Sequence, residues 1–314
     1  ILNKFAKMHK ERLIFIYPKL FTFIKTEIKL LSEYYDLIYI NQNWTYRHLL
    51  PFNLIFQLFF LILNVRRVNT ILISFAGYSS YFPALIGKLF KKKVVIVVHG
   101  TDCVSFPEIN YGNLHKLVMR WFIVRSYHLA DIILPVSESL VYTENNYYSD
   151  RTLKFGYSYH IRNIKTPYKV IPNGLVIQDW QKENIDKIDR TFITVMTISQ
   201  LTRKGAYLIV ETANNLPDCT FYFAGTDNIP NIDLPKNVIC LGRLTPKELK
   251  HWYSKTQFYL QLSNFEGFGV AICEAMLCEC VPIASNVNFL PNIVGDTGFI
   301  LNRRDVDKLE GLIK

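Results

Sequence analysis

Two glutamates stand eight positions apart in Ser263-Asn264-Phe265-Glu266-Gly267-Phe268-Gly269-Val270-Ala271-Ile272-Cys273-Glu274-Ala275. The stretch reads as the end of an apolar strand, a glycine turn and a helix. Gly267 and Gly269 permit a sharp turn and a close approach of backbone to ligand. A helix starting near Gly269 would aim the amides of Phe268, Gly269 and Val270 at whatever occupies the turn, and that end of a helix attracts phosphate. Glu266 lies in the turn and Glu274 about one and a half helical turns beyond it. A carboxylate in so apolar a helix is costly unless it finds hydrogen-bond partners. A ligand rich in hydroxyls and phosphate would supply them. The alternative is a common strand-to-helix turn followed by a solvated helical glutamate.

Other residues could serve the same ligand. Gln200-Leu201-Thr202-Arg203-Lys204-Gly205 places a forked cation and a point charge side by side before a helix, which suits a diphosphate. Gly205 lets that helix start close by. A solvated basic turn would look the same. His99, in His99-Gly100-Thr101-Asp102, follows a strand of valine and isoleucine, at the strand end where α/β sheets present functional groups. A strand-end histidine can equally be a structural hydrogen bonder. Gly242-Arg243-Leu244 and Pro172-Asn173-Gly174 read as a strand terminus and a turn.

The elements that must position these groups alternate. In the first half, apolar strands are expected at 13–17, 37–41, 70–75, 94–98 and 131–136, with a short one at 169–171. Helices are expected at 21–35, 49–63, 79–90 and 113–129, and one capped by Ser137 running to about Asn145. Residues 178–190 look like a polar linker. Strands then follow at 192–198, 219–224, 238–241, 257–262, 281–285 and 298–301, with helices at 205–215 and 246–254 between them. The economical architecture is α/β: two doubly wound, Rossmann-like parallel sheets, with ligands bound beyond the carboxyl ends of the strands, facing a cleft. The expected division is 1–175 and 176–314, with the last helix cut short at the end of the sequence.

Composition sets bounds. The chain has 314 residues, half of them hydrophobic, and a formal charge of +10. Residues 1–170 carry 22 basic and 10 acidic groups, against 14 and 16 in 171–314. The basic half calls for an anionic partner: acidic lipid, a charged acceptor or nucleic acid. Six cysteines show no metal-ligand spacing. With no signal peptide recognised, a reducing cytoplasm is expected. Leu49–Val65 is the nearest approach to a membrane span. It is short and interrupted by Pro51, Asn53, Gln57 and Asn64, so a buried or interfacial helix is expected instead.

E-G-F-G followed by E-A-M resembles the E-x7-E motif of retaining glycosyltransferases of family 4, which have the two-Rossmann GT-B fold (glycosyl transferases group 1). R-K-G, V-P-I-A-S, H-G-T-D and I-P-N-G fall in the family's order. There are departures. No glycine precedes Gly77, so the family's glycine-rich loop after the first strand is replaced by Tyr17-Pro18-Lys19-Leu20-Phe21. Asn286-Val287-Asn288 and Leu277-Cys278-Glu279-Cys280 lack usual glycines, and Ser199 and Gln200 replace a common Gly-Arg pair.

The resemblance implies a hexosyltransferase using a nucleotide-diphospho-sugar, expected to be a UDP-sugar with a GDP-sugar as the alternative. Arg203, Lys204, Gly205 and the amides of Phe268, Gly269 and Val270 would hold the diphosphate, Glu274 the ribose and Glu266 the sugar. Leu244 would meet the base, His99 would reach the donor sugar or acceptor, and Asn173 would sit at the domain hinge. No metal or other cofactor is implied. The acceptor would be a cell-envelope glycan or glycolipid, with no nucleic acid involved and possible peripheral contact with the inner face of an anionic membrane. Two alternatives stay open: another GT-B enzyme, such as a sugar-nucleotide epimerase or an inverting transferase, and a non-catalytic nucleotide-sugar or nucleic-acid binding protein.

Overall fold

The computed structural model describes residues 10–314, the side chains of Thr22 and Arg47 excepted. The chain folds as two compact units. One runs up to Tyr142 and takes in Phe155–Ile171; the other comprises Thr143–Lys154 and Pro172–Lys314.

The first unit is built on a five-stranded parallel sheet. Its strands are β1 (Glu11–Ile16), β2 (Tyr35–Tyr39), β3 (Thr70–Ser74), β4 (Lys93–Val98) and β5 (Ile132–Pro135), in the order β2-β1-β3-β4-β5. Helices α1 (Thr22–Tyr34), α2 (Leu50–Asn64), α3 (Tyr81–Leu89) and α4 (Leu117–Leu129) form the connections. Val94, Ile96 and Val98 are fully buried, as a strand covered on both faces requires.

The second unit has a six-stranded parallel sheet. Its strands are β6 (Ile188–Val195), β7 (Thr220–Ala224), β8 (Val238–Gly242), β9 (Thr256–Gln261), β10 (Val281–Ser285) and β11 (Phe299–Leu301), in the order β8-β7-β6-β9-β10-β11. Its helices are α5 (Ala206–Asn215), α6 (Pro246–Lys255), α7 (Val270–Leu277), α8 (Leu290–Val294) and α9 (Val306–Ile313). Strands β6 and β9 are neighbours, so the loops that follow them open at the same edge of the sheet. Helix α6 starts where its sequence says it should: Thr245 and Glu248 form a capping box and Pro246 follows.

Three expectations are corrected. No helix runs from Ser137 to Asn145; a 3-10 turn, Glu138–Leu140, is followed by a short strand, Thr143–Asn145, paired with Leu153–Phe155. The Ser137 hydroxyl meets the Ser139 hydroxyl at 2.8 Å instead of capping a helix. Residues 169–171 form no full strand, since only Tyr168 bridges β5, at Ile133. Residues 178–190 are no free linker. The Trp180 ring packs 5.9 Å from that of Tyr253. Further on, the Lys187 ammonium donates to the carbonyls of Tyr253, Thr256 and Cys278 at 2.8, 2.9 and 2.7 Å. These carbonyls belong to the end of α6, the start of β9 and the end of α7. A single cation therefore pins the entry of β6 to three other segments.

The missing glycine before V-P-I-A-S has a structural consequence. Helix α7 ends in a Schellman arrangement: the Glu279 amide donates to Met276 O at 2.9 Å and the Cys280 amide to Ala275 O at 3.0 Å. Glu279 fills the left-handed position of that cap, at φ 61°. A side chain there costs about 1 kcal/mol relative to glycine. Its ion pair with Lys182, at 3.5 Å, leaves the carboxylate largely in solvent and contributes little. Glu279→Gly is therefore expected to stabilise the protein by about 0.5–1 kcal/mol, read as a higher denaturant midpoint at unchanged slope. A lower midpoint would contradict the strain assigned to this cap.

Candidate active site

At the carboxyl edge of the second sheet, two loops are sewn together. One, after β6, carries Arg203 and Lys204; the other, after β9, carries Glu266. Asn264 is the seam. Its amide donates to Arg203 O at 2.7 Å and its side chain to Thr202 O at 2.9 Å. The start of α5 rests directly on the end of β9. Gly205 caps α5 at φ 76°, and a Cβ there would collide with Leu262 O. Any L side chain would push the two loops apart, which gives the glycine of R-K-G a physical reason.

Glu266 is the hub. Its Oε2 accepts from Arg203 Nη1 at 3.1 Å, Gln261 Nε2 at 2.9 Å and Ser263 Oγ at 3.2 Å. Arg203 Nη1 also donates to Phe265 O at 2.9 Å. Behind Gln261, the buried Tyr259 hydroxyl donates to its amide oxygen at 2.8 Å. Burial would push the Glu266 carboxyl up; the charges of Arg203 and Lys204, with hydrogen bonds from Arg203 and Ser263, outweigh it and hold the group below the usual carboxylate range. It is a fixed anion, with Oε2 used by protein donors and Oε1 touched, among the described residues, by the Gly267 amide alone, at 3.3 Å.

Lys204 lies beside it. Its ammonium donates to Val195 O at 2.8 Å. Burial lowers its pKa to about 8, against the opposing attraction of Glu266 and Glu274. Glu274 lies on α7, and among the described residues no group donates a hydrogen bond to its carboxylate. Burial raises it to about 7, with the charge of Lys204 pulling the other way. The amides of Phe268, Gly269 and Val270 donate to no acceptor among the described residues. Gly269 caps α7 at φ 108°, where a Cβ would come within 2.9 Å of Leu290 Cδ2. The site thus holds a buried, half-compensated cation, free amides at a helix N-terminus and an acid without hydrogen-bond partners. It is poised for a ligand with anionic and hydroxyl parts.

Asn288 was missed. The sequence marks it as a departure from a usual glycine that changes packing more than chemistry. The structure puts it in the site: at φ 51° its side-chain oxygen accepts from the Glu266 amide at 3.0 Å. Asparagine tolerates the left-handed conformation and adds a hydrogen bond that glycine lacks.

The remaining predicted residues lie apart from this cluster. Leu244 follows β8, an outer strand two removed from β6 on the same sheet edge, and is half-buried. Asn173 lies in the segment that opens the second unit. That segment has no regular secondary structure and no turn at Pro172-Asn173-Gly174, and Gly174 does not take a positive φ.

His99 belongs to the first unit. Its Nε2 lies 2.8 Å from Ser74 Oγ and 4.0 Å from Glu27 Oε1. Its ring packs against Phe75 and Phe23, with centroids at 4.3 and 5.3 Å. Burial holds the imidazole neutral, with a pKa of about 3, and raises Glu27 to about 7 against a hydrogen bond from Ser74. Asp102 ties the loops after β3 and β4 together, accepting from the amides of Ala76, His99 and Gly100 at 2.9, 3.2 and 3.1 Å. Glu27 was not singled out, yet it was legible: it falls on the apolar stripe of α1 with Phe23, Ile24, Ile28 and Leu31, where a solvated acid does not belong.

Two parallel sheets with crossover helices, the second carrying its functional groups at the strand carboxyl ends, define an α/β protein of the two-Rossmann type. Residues 178–314 match the family model for glycosyl transferases group 1. Over 73 residues, 23% of this chain and 19% of the relative, it is 37% identical to O-antigen chain mannosyltransferase B of Escherichia coli. Over 252 residues it is 26% identical to an uncharacterized 41.2 kDa protein in the cps region of Klebsiella pneumoniae, covering 75% of this chain and 65% of that one. The chain spans less than two thirds of the length of either relative. Among solved structures, sucrose-phosphate synthase from Thermosynechococcus elongatus superposes with a TM-score of 0.70 at 14% identity, over 97% of this chain and 89% of that one. This likeness shows the GT-B fold.

The Glu274 environment gives a pH test. Its pKa is raised from 4.5 to about 7 in the folded protein. The folded state therefore holds an extra proton between these values, and the stabilisation present below 4.5 is lost as pH rises through 7. Glu274→Gln should remove that dependence. Without ligand, the variant is expected to melt about 2–4 °C above the parent at pH 8, with the gap closing toward pH 5. A pH-independent gap, or a less stable variant at pH 8, would contradict the burial assigned to Glu274.

Proposed function

We propose that the protein is a retaining glycosyltransferase that moves a hexosyl group from a nucleotide-diphospho-sugar to a cell-envelope glycan or glycolipid. The observation that carries the reading is the convergence of Arg203, Lys204, Glu266, Glu274 and the free α7 amides at one sheet edge, within the stretch that matches the glycosyl transferases group 1 model. The envelope acceptor is suggested by the O-antigen and cps-region relatives.

In this reading Lys204 and the α7 amides face the diphosphate, with Arg203 adding charge while it holds Glu266. They stabilise the negative charge that grows on the leaving phosphate as the glycosidic bond breaks. The ribose hydroxyls donate to the Glu274 carboxylate. Glu266, kept ionised, accepts from sugar hydroxyls through Oε1 and fixes the ring. The oxocarbenium-like centre is attacked on the departing face, and the leaving phosphate oxygen takes the acceptor proton. Glu266 is thus an orienting anion and not a nucleophile. The base meets the backbone beyond β8 near Leu244, and neutral His99 serves the sugar or acceptor from the first unit. Cationic side chains do the work of a metal ion, so turnover should survive chelation by EDTA.

Nucleoside-diphosphate sugars should raise the melting temperature in proportion to occupancy. A UDP-sugar is the expected ligand and a GDP-sugar the alternative. Lys204→Ala is expected to weaken donor binding roughly ten- to hundredfold, the loss of a charged hydrogen bond. Product analysis by NMR should show the anomer of the donor preserved. An inverted product, or an epimerised nucleotide-sugar formed without acceptor, would overturn the retaining reading.

A further inference from the structure

Helix α2 carries no charged residue, and its polar side chains are spent on the protein. Toward the protein, Gln57 and Leu61 are fully buried, and Gln57 Nε2 donates to Ser79 O at 2.9 Å. Near its start, Asn53 donates to Asn43 O and accepts from Gln42, both at 3.0 Å. Away from the protein, Phe52, Ile55, Phe56, Phe59, Ile62 and Leu63 recur at helical spacing and are 53–70% exposed. Six large apolar side chains on one stripe are not a scatter of surface hydrophobics. An apolar helix face is normally covered.

The charges around α2 say what covers it. Residues 37–101 contain no Asp or Glu and seven Lys or Arg. Arg66 and Arg67 leave α2 directly, and both are exposed. Arg66 lies over the Phe90 ring at 5.9 Å, so the end of α2 meets the turn holding Lys91 and Lys92. Lys93 is joined to the same corner, its amide donating to Asn69 O at 2.9 Å. Within this group, among the described residues, only Lys88 has an acidic partner, Asp131 at 3.2 Å. An apolar stripe bordered by unpaired cations fits a surface that is oily below and anionic above. A second copy of the chain fits worse, since a two-fold contact would set one acid-free segment against another. Spanning the bilayer would require α2 to leave α3 and give up the buried Gln57 hydrogen bond.

We propose that α2 is an interfacial anchor that docks the first unit on an anionic phospholipid bilayer, lying in the membrane plane. The outer stripe enters the headgroup–acyl boundary, and Arg66, Arg67, Lys91 and Lys92 face the lipid phosphates. The inference concerns the first unit alone and stands independently of the donor chemistry assigned to the second.

Flotation of the full chain with phosphatidylcholine vesicles, with and without phosphatidylglycerol, tests it. The protein should float with the anionic vesicles and bind them less at high salt. Replacing Arg66 and Arg67 with alanine should weaken partitioning by about fivefold per cation removed. Phe56→Ser with Phe59→Ser should abolish flotation while leaving donor-induced thermal shifts intact. Should that pair fail to fold, Phe59→Trp decides: its added fluorescence should be quenched by brominated lipid. Protein that stays unbound in the presence of anionic vesicles, or added fluorescence in Phe59→Trp that brominated lipid leaves untouched, overturns the proposal. So does a dimer that the serine pair converts to monomer without any vesicle binding in the parent.

Discussion

The contact between Arg203 and Glu266 governs the second unit's functional edge. Both side chains are largely withdrawn from water, at 11% and 16% exposure, and each closes a different loop. A buried charge without its partner is far more costly than the pair is favourable. Breaking either half would therefore leave an isolated charge between β6 and β9 and loosen the loops that Asn264 sews together. The pair also fixes the ionisation of Glu266, which frees Lys204 from being its sole counter-ion. Lys204 donates to one backbone carbonyl, and burial lowers its pKa to about 8. A depressed lysine beside an acid held near neutrality is a site short of negative charge and of hydroxyl donors. Such a shortage suits a ligand with anionic and hydroxyl parts.

The first unit uses buried charge differently. Asp102 is spent on backbone amides, and it holds the loop that presents His99. His99 is held neutral between aromatic rings, with Ser74 and Glu27 at its Nε2. Such an imidazole can give or accept a hydrogen bond without carrying charge. Around α2 the opposite economy holds: an apolar surface with cations at its border and no carboxylate in 65 residues of sequence. In the proposed reading the two units divide the demands made on them, one meeting phosphate at its sheet edge and the other carrying a surface fit for phosphate in a sheet of headgroups.

Much of this was legible beforehand, for definite physical reasons. The central strands of both sheets are largely apolar and buried between turn signals, and their alternation with helices leaves few topologies. The cluster around Glu266 was legible because glycine, paired cations and paired carboxylates must fall at set distances around strand ends. What escaped depended on contacts remote in sequence. Lys187 reads as one charge in a polar stretch, and nothing local says that three carbonyls converge on it. Asn288 and Glu279 read as absent glycines; only the backbone shows that both adopt the glycine conformation, one adding a hydrogen bond and the other bearing strain. Leu244, Asn173 and His99 came from family resemblance, and their assigned roles are proposals that the cluster around Glu266 does not itself engage.

The central claim is that Lys204 awaits a diphosphate, and its depressed pKa makes this directly measurable. Binding an anion should restore the charged form, so complex formation near pH 8 must take up protons. Calorimetric titration of UDP and GDP at pH 8, in two buffers of different ionisation enthalpy, measures that uptake. The account predicts a fractional proton taken up on binding, absent in Lys204→Met, whose affinity is also reduced. Binding without proton uptake, or with an uptake unchanged in Lys204→Met, would contradict it.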